Sequence, residues 1–152
     1  MGLAKRWFDA AVQVHRELGP GLLETVYKVV LARELERRGL RVERQVPVPI
    51  VYGGIRFEEG FRADLIVEGM VILELKCVEE LSKVHAKQLF RYLKLKGLKL
   101  GFVLNFGANL MKDGLERVVN GLPEENLGVL ASLRETKTHL ETGCAANSAP
   151  PH

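Results

Sequence analysis

The sequence predicts an α/β or α+β fold in which helices flank a mixed central β-sheet. Three observations support this prediction. Two segments with helical spacing open the chain, β-rich apolar runs follow between residues 41 and 77, and a third helix precedes another apolar strand. The chain has 152 residues, of which 47% are hydrophobic and 27% are charged. This length and composition fit a globular protein with a single core.

The first two predicted helices are separated by Gly19-Pro20-Gly21, a sequence that interrupts helical structure. The first helix covers residues 3–18, and the second covers about residues 22–38 and stops at Gly39. The apolar stripe of the first helix consists of Trp7, Ala11, Val14 and Leu18. The candidate core positions of the second helix are Leu23, Val26, Val30 and Leu35.

Four β-rich runs follow, over residues 41–52, 55–59, 61–67 and 71–77. Turns at Gly53-Gly54 and Glu68-Gly69 interrupt this region. Pro47 and Pro49 predict that the first run lies at an edge of the sheet, because proline cannot donate a hydrogen bond to a neighbouring strand.

A third helix is predicted over about residues 83–96, followed by a strand over residues 100–106. On this helix Val84, Phe90 and Leu93 are expected to pack on the sheet. Residues 115–119 fit a last strand, and a short helix there remains an alternative. We expect residues 1–120 to form the folded domain. Residues 121–152 form a C-terminal extension, with a helix over residues 123–141 and then a disordered tail.

Targeting signals are not evident in the sequence. No apolar run reaches the roughly 18 residues that span a bilayer, and the N-terminal segment lacks the apolar core of a signal peptide. Cys77 and Cys144 are too few for a disulfide framework. These features predict a cytoplasmic protein that makes no membrane contact.

Positive charge is concentrated in the third helix and the residues after it. Residues 83–99 contain six lysines and arginines and no acid, whereas the whole chain has a net charge of only +3. A local excess of this kind is compatible with binding to a polyanion. Charge alone favours the alternative of a solvated helix face.

An acid and a base alternate with apolar residues in the run over residues 71–77. Glu74 and Lys76 are two residues apart, so in a strand they project from the same face. Asp64 lies in the preceding run. A three-residue loop over residues 68–70 would bring Asp64 opposite Glu74, whereas a two-residue loop would turn the two carboxylates to opposite faces. We predict the three-residue loop.

Two carboxylates placed together repel each other unless a cation lies between them. A hard divalent cation such as Mg²⁺ accepts oxygen ligands of this type and is common beside phosphate. Lys76 could then orient a water molecule or stabilise charge on a phosphate. A buried ion triad without catalytic function is the alternative, and the strands alone favour neither.

Asp64 followed by Glu74-Leu75-Lys76 resembles the D…ExK pattern of the PD-(D/E)XK nuclease superfamily, although Ala63 stands where the superfamily's name has proline. Two further segments strengthen this resemblance. Gly21, Glu24 and Tyr27 are similar to the motif that names the GxxExxY family of that superfamily. Gln88 and Tyr92 are similar to the QxxxY motif of RecB-like nucleases.

The resemblance covers about residues 4–120 and implies a restriction-endonuclease-like core. The catalytic residues that it implies are Glu24, Asp64, Glu74, Lys76, Gln88 and Tyr92. The expected cofactor is Mg²⁺, with Mn²⁺ as a substitute. Its expected ligands are Asp64, Glu74, the carbonyl of Leu75, and Glu24 directly or through water. Because the QxxxY-like motif lies on the same helix, we interpret the basic residues there as a surface that contacts phosphate groups. These residues are Lys83, Lys87, Arg91 and Lys94.

The predicted function is therefore hydrolysis of nucleic-acid phosphodiester bonds, with DNA as the expected substrate and a homo-oligomer as an open expectation. The main alternative is a non-catalytic module that binds nucleic acid or self-assembles while it retains the nuclease fold. The sequence gives little support for a small-molecule hydrolase, because no nucleophilic side chain and general base form an evident pair. His15, His85 and Cys77 are weaker candidates, each of which fits a structural role better.

Overall fold

The computed structural model describes residues 2–121, in which three α-helices, one short 3-10 helix (Met111–Gly114) and five strands form an α/β fold with a mixed sheet. The predicted fold class is confirmed, and the architecture is consistent with a restriction-endonuclease-like core. The α-helices are α1 (Leu3–Leu18), α2 (Glu24–Arg37) and α3 (Lys83–Lys96). The strands are β1 (Val42–Tyr52), β2 (Ile55–Val67), β3 (Val71–Lys76), β4 (Leu100–Asn105) and β5 (Leu115–Val119).

The five strands lie side by side in chain order, from β1 to β5. β3 and β4 are parallel, and every other neighbouring pair is antiparallel. α3 provides the crossover that parallel strands require. β1 lies at one edge of the sheet, as Pro47 and Pro49 predicted. Residues 115–119 form the strand at the other edge, which settles the alternative of a short helix.

Each face of the sheet is covered by helices. On one face Leu73, Leu75 and Phe102 belong to the core cluster that contains α1 and α2. On the other face Ile72 and Val103 pack with α3. Because side chains of a strand alternate between faces, Glu74 and Lys76 share the α3 face with Ile72. Glu74 and Lys76 thus project from one face of the sheet, as the spacing predicted, and this face is the one that α3 covers.

The runs over residues 55–59 and 61–67, predicted as separate strands, form one long strand, β2. Val48 pairs with Phe61 and Ile50 pairs with Phe57, so three residues of β2 lie opposite a single residue of β1. Gly60, which separates the two predicted runs, lies within this bulge. A bulge keeps two strands paired while one of them carries extra residues.

The predicted core positions of α2 are confirmed in part. Leu35 is buried and the half-buried Val30 packs against the core, whereas Val26 is half-buried and Leu23 is wrong, being 74% exposed. The buried residues are Tyr27, Leu31, Ala32 and Leu35. Apolar residues occur around much of this helix, so its period does not select one face. The contact with the sheet selects the face that contains Tyr27.

The two ends of α3 differ in how well they match the predicted packing. Leu93 is fully buried as predicted, but Val84 is 62% exposed because it lies in the first turn, away from the sheet. The helix and tail predicted beyond Gly121 lie outside the described residues. Among residues 2–121 no helix is both long and apolar enough to cross a membrane.

Candidate metal and nucleic-acid site

The β2–β3 hairpin brings the two predicted carboxylates together. Val67 pairs with Val71, so the loop has three residues, as predicted. The same register places Asp64 across from Glu74. The two side chains bridge the strands where the ladder ends: the Asp64 N–H donates to Glu74 Oε2 at 2.9 Å, and the Leu75 N–H donates to Asp64 Oδ2 at 2.9 Å. Each carboxylate is therefore held by the backbone of the opposite strand.

Burial and mutual repulsion act together on this acid pair. Asp64 is 5% exposed and Glu74 is 6% exposed. Burial, and then the negative charge of Asp64, raise the pKa of Glu74 to about 8; the Asp64 N–H and the charges of Lys76 and Lys28 oppose this rise only in part. The positive charge nearby does not compensate both carboxylates, so the acid pair would stabilise a cation bound beside it.

The Leu75 carbonyl and Lys76 extend the site along β3. The N–H and the C=O of one residue leave a strand on the same edge. Because the Leu75 N–H reaches Asp64, the Leu75 carbonyl lies on the edge that faces the acid pair. Lys76 is half-buried, and its positive charge acts on Glu74 and also lowers the pKa of His85 after the larger effect of burial.

The N-terminal turn of α2 adds Glu24 and a lysine that the sequence did not single out. Lys28 Nζ lies 2.9 Å from Asp64 Oδ1 and 3.1 Å from Glu24 Oε2. Burial disfavours the ammonium, but the hydrogen bonds and charges of Asp64 and Glu24 outweigh it and raise the pKa of Lys28. Glu24 is therefore connected to the acid pair through Lys28. The signal that could have identified Lys28 is its spacing, one helical turn after Glu24.

Tyr27, the last position of the GxxExxY-like motif, has a structural role. It is fully buried and stacks on Phe106 with ring centroids 4.7 Å apart. Its hydroxyl donates to the Gly19 carbonyl and accepts from the Leu22 N–H at 3.2 Å. Tyr27 thus fixes the loop that leads into α2, and this loop sets where Glu24 begins the helix.

α3 places Tyr92 beside the acid pair. Tyr92 is 5% exposed, and its ring lies 5.0 Å from that of Phe61. Burial, followed by the negative charges of Glu74 and Asp64, raises its pKa to about 12. Gln88 is half-buried one turn earlier. Among the described residues, neither Gln88 nor Tyr92 donates a hydrogen bond to either carboxylate, so Tyr92 is linked to the pair only through the effect of the two charges on its pKa.

The basic stripe of α3 lies on the solvent side of the same helix. Its four residues are all exposed: Lys83, Lys87, Arg91 and Lys94. The Lys94 ammonium lies 5.5 Å from the centre of the Phe90 ring. One helix therefore presents Tyr92 toward the acid pair and a row of positive charge toward solvent.

The three weaker candidates have structural partners. His15 is buried, and its Nε2 lies 2.8 Å from the Ala108 carbonyl. His85 accepts a hydrogen bond at Nδ1 from the Ser82 N–H at 3.2 Å and so caps α3. Cys77 is a free thiol that packs against the α1–α2 cluster.

An irregular backbone position lies across from Asp64 on β1. Arg44 pairs with Leu65 and Val46 pairs with Ala63, which leaves Gln45 opposite Asp64. Gln45 has a φ of 51°, in the left-handed region that non-glycine residues seldom adopt. No local sequence pattern indicates this irregularity. It interrupts the β1–β2 ladder at the level of the acid pair.

The donor types suit a hard divalent cation. Asp64 and Glu74 contribute two buried carboxylates and Leu75 a carbonyl, which are the oxygen ligands that Mg²⁺ prefers. The ligands are not fully gathered, since no three His, Cys, Asp or Glu side chains within residues 2–121 are grouped to hold a metal. Glu24 is the donor held apart, because Lys28 lies between it and Asp64.

Comparison with known proteins places the chain in a superfamily and does not address individual residues. No curated protein and no solved structure matches the chain significantly. A family model for the PD-(D/E)XK nuclease superfamily matches residues 2–118, a range that contains all five strands up to Val118 and all three α-helices. The chain therefore belongs to the PD-(D/E)XK nuclease superfamily.

Proposed function

We propose that the chain is a metal-dependent nuclease of the GxxExxY family that hydrolyses phosphodiester bonds of nucleic acid, with DNA as the expected substrate. The observation that carries the proposal is the buried Asp64–Glu74 pair, in which burial, and then the negative charge of Asp64, raise the pKa of Glu74 to about 8. Members of the superfamily typically use divalent metal ions, which supply such charge.

Mg²⁺, or Mn²⁺ in its place, would be held by Asp64, Glu74 and the Leu75 carbonyl, with Glu24 as a further ligand directly or through water. When bound, such an ion stabilises the negative charge that develops on a phosphate during hydrolysis. Asp64 and Glu74 are suited to this role because the backbone of the opposite strand already orients both carboxylates. Pre-orientation of charged groups reduces the reorganisation needed during the reaction.

The other predicted residues have separate roles. Lys76 projects from the same face of β3 as Glu74, and we assign it the positioning of the attacking water. Tyr92 lies beside the acid pair and Gln88 precedes it by one turn of α3, and we assign both residues contacts with the scissile phosphate or with the ligand groups. The exposed stripe on α3 supplies contacts with the nucleic-acid backbone, which carry affinity without sequence preference.

A non-catalytic module is the second candidate, and one observation favours it. The Lys28 ammonium already provides Asp64 with a partner at 2.9 Å. If this ion pair were permanent, the acid pair would be a structural network, and the basic stripe would serve binding alone. The raised pKa of Glu74 argues against this alternative, because a network built for stability would satisfy that carboxyl group too.

The test is cleavage of linear, circular and single-stranded DNA and of RNA, with Mg²⁺ or Mn²⁺ and with an EDTA control. We expect metal-dependent cleavage by the wild type and a loss of at least about a thousandfold in Glu74→Ala. Glu36→Ala, which removes an exposed acid of α2, serves as the matched control. A folded protein that cleaves none of these substrates, or that cleaves equally well in EDTA, would contradict the proposal.

The domain boundary belongs to the same proposal. We propose that residues 1–120 are the nuclease domain and that residues 121–152 extend it. Location in the cytoplasm and assembly into a homo-oligomer stay predictions from the sequence.

A further inference from the structure

Lys28 occupies a central position among the acidic groups. Its ammonium lies within 3.1 Å of two carboxylates, one from Asp64 and one from Glu24. Its side chain is only 15% exposed, whereas that of Glu24 is 37% exposed. An ammonium that bridges two carboxylates supplies one positive charge where a divalent ion would supply two.

Lys28 and a divalent ion compete for the same oxygen atom. Asp64 Oδ2 accepts from the Leu75 N–H, and Oδ1 accepts from Lys28, so the Asp64 carboxylate is engaged on both sides. A magnesium ion requires its ligands at about 2.0–2.1 Å in a nearly octahedral arrangement. An ammonium bonded to the same oxygen would be repelled by the ion, and repulsion at such distances is strong in a buried setting.

Lys28 has a route by which it can leave. Its four-carbon stem is flexible, and its second partner, Glu24, lies on the more exposed side of the site. A rotation of the side chain toward solvent would release Asp64 and remove the charge that separates Glu24 from the acid pair. The same movement would therefore open Asp64 Oδ1 and allow Glu24 to approach.

We propose that Lys28 is an internal counter-cation that a divalent ion must displace from Asp64, so that Lys28 sets the metal affinity of the site. This inference rests on the metal site of the proposed function. In the metal-free protein Lys28 neutralises Asp64 and holds Glu24 away. In the metal-bound protein it no longer contacts Asp64, and Glu24 joins the ligand group.

The test measures Mn²⁺ affinity by isothermal titration calorimetry for the wild type, Lys28→Met, Lys28→Gln and Lys28→Arg. We expect both neutral variants to bind Mn²⁺ about tenfold more tightly or better, because no competing cation has to be displaced. Lys28→Arg keeps the competing charge and should bind no more tightly than the wild type. Lys5→Met is the matched control, since Lys5 forms the same type of ion pair with Asp9 on α1, at 2.8 Å.

Thermal unfolding provides a second measurement. In EDTA, Lys28→Met should unfold at a lower temperature than the wild type, because Asp64 loses its partner, and Mn²⁺ should raise its midpoint by more than that of the wild type. If Lys28→Met does not fold, the more conservative Lys28→Gln decides the question. Asp64→Asn, introduced into the wild type and into Lys28→Met, should abolish the binding and so locate the bound ion.

Two outcomes separate this inference from the proposed function. If the wild type binds Mn²⁺ and both neutral Lys28 variants bind it equally or more weakly, the inference is overturned while the metal site stands. If neither the wild type nor any variant binds Mn²⁺, the metal site itself is overturned, and the inference with it. Binding by the neutral variants alone would support the inference in its strongest form.

Discussion

The two ends of α2 carry charged clusters of opposite balance. At the C-terminal end, Glu34 bonds both Arg37 and Arg38 at 2.7 Å. Arg38 also donates to Gln13 of α1. The hydrogen bonds from the two arginines are the main reason why the pKa of Glu34 is lowered to about 2. At the N-terminal end, by contrast, a single cation, Lys28, forms ion pairs with both Glu24 and Asp64.

This difference separates a structural cluster from a candidate site. One carboxylate with two arginines stays ionised and needs no further partner. At the candidate site one lysine, Lys28, forms ion pairs with Glu24 and Asp64. The third acid there, Glu74, has a pKa raised to about 8. Perturbed groups of this kind are concentrated at functional sites, where the protein leaves charge for a ligand to satisfy.

Removal of a cation beside the acid pair and of one from the Glu34 cluster should have unequal effects on cleavage. Lys76→Met should reduce the rate of metal-dependent cleavage by about a hundredfold or more, because it removes a charge positioned beside the reacting groups. Arg37→Met should leave the rate within about twofold of the wild type. Single-turnover kinetics at saturating Mn²⁺ would measure both rates. Equal losses in the two variants would contradict the distinction between the two clusters.

The pH dependence of stability in EDTA should reveal the acid with the raised pKa. Glu74 keeps its proton up to about pH 8 in the folded chain but loses it near its ordinary pKa of 4.5 when unfolded. Between these values the folded state binds more protons, so its stability should fall as the pH rises, by up to about 1.4 kcal/mol per pH unit. Urea denaturation across this window would measure the slope, and Glu74→Gln should flatten it. A wild-type slope equal to that of the variant would show that Glu74 titrates normally.

The basic stripe should affect binding rather than chemistry. Lys87→Ala with Arg91→Ala should weaken DNA binding roughly tenfold and reduce the slope of log K against log salt by about 0.9 for each phosphate that the variant no longer neutralises. Binding in Ca²⁺ by fluorescence anisotropy would measure both quantities. The control replaces two exposed arginines elsewhere, Arg16 and Arg33, by alanine. A similar change in the control would mean that net charge, and not the α3 surface, determines binding.

The smallest predicted effect is a change in stability caused by a substitution at the C-terminal end of α2. The stabilising contribution of Glu34 is present above its ordinary pKa of 4.5 and is lost as the pH falls through about 2. Because pairs of this kind are largely screened by solvent, Glu34→Gln should reduce stability at pH 7 by less than about 1 kcal/mol. Chemical denaturation at pH 7 and pH 3 would measure the difference. A loss of several kcal/mol would indicate a buried network instead.

The position of the acid pair could be predicted from the sequence because strand alternation and loop length determine it. Once the hairpin loop has three residues, Asp64 must lie across from Glu74. The core face of α2 could not be predicted in the same way, because the apolar residues of α2 are distributed around much of its circumference. The choice of Tyr27 over Leu23 as a buried residue depends on contacts with Phe106 and with the loop before the helix.

Lys28 shows why the site itself was harder to predict than the fold. Its spacing from Glu24 fits an ordinary ion pair on a helix surface. Its contact with Asp64 joins residues far apart in the chain and depends on how α2 sits against β2. Gln45 likewise has a left-handed backbone conformation that no local sequence pattern indicated. Local patterns thus located the acids, and long-range packing determined their partners.

The most direct test of a divalent metal site at the acid pair is an anomalous difference map from a crystal of the protein soaked in Mn²⁺. We predict a peak in contact with the carboxylates of Asp64 and Glu74 and the carbonyl of Leu75, with the Lys28 ammonium moved away from Asp64. A fully soaked crystal with no peak at this position, and with Lys28 still bonded to Asp64, would contradict the presence of such a site.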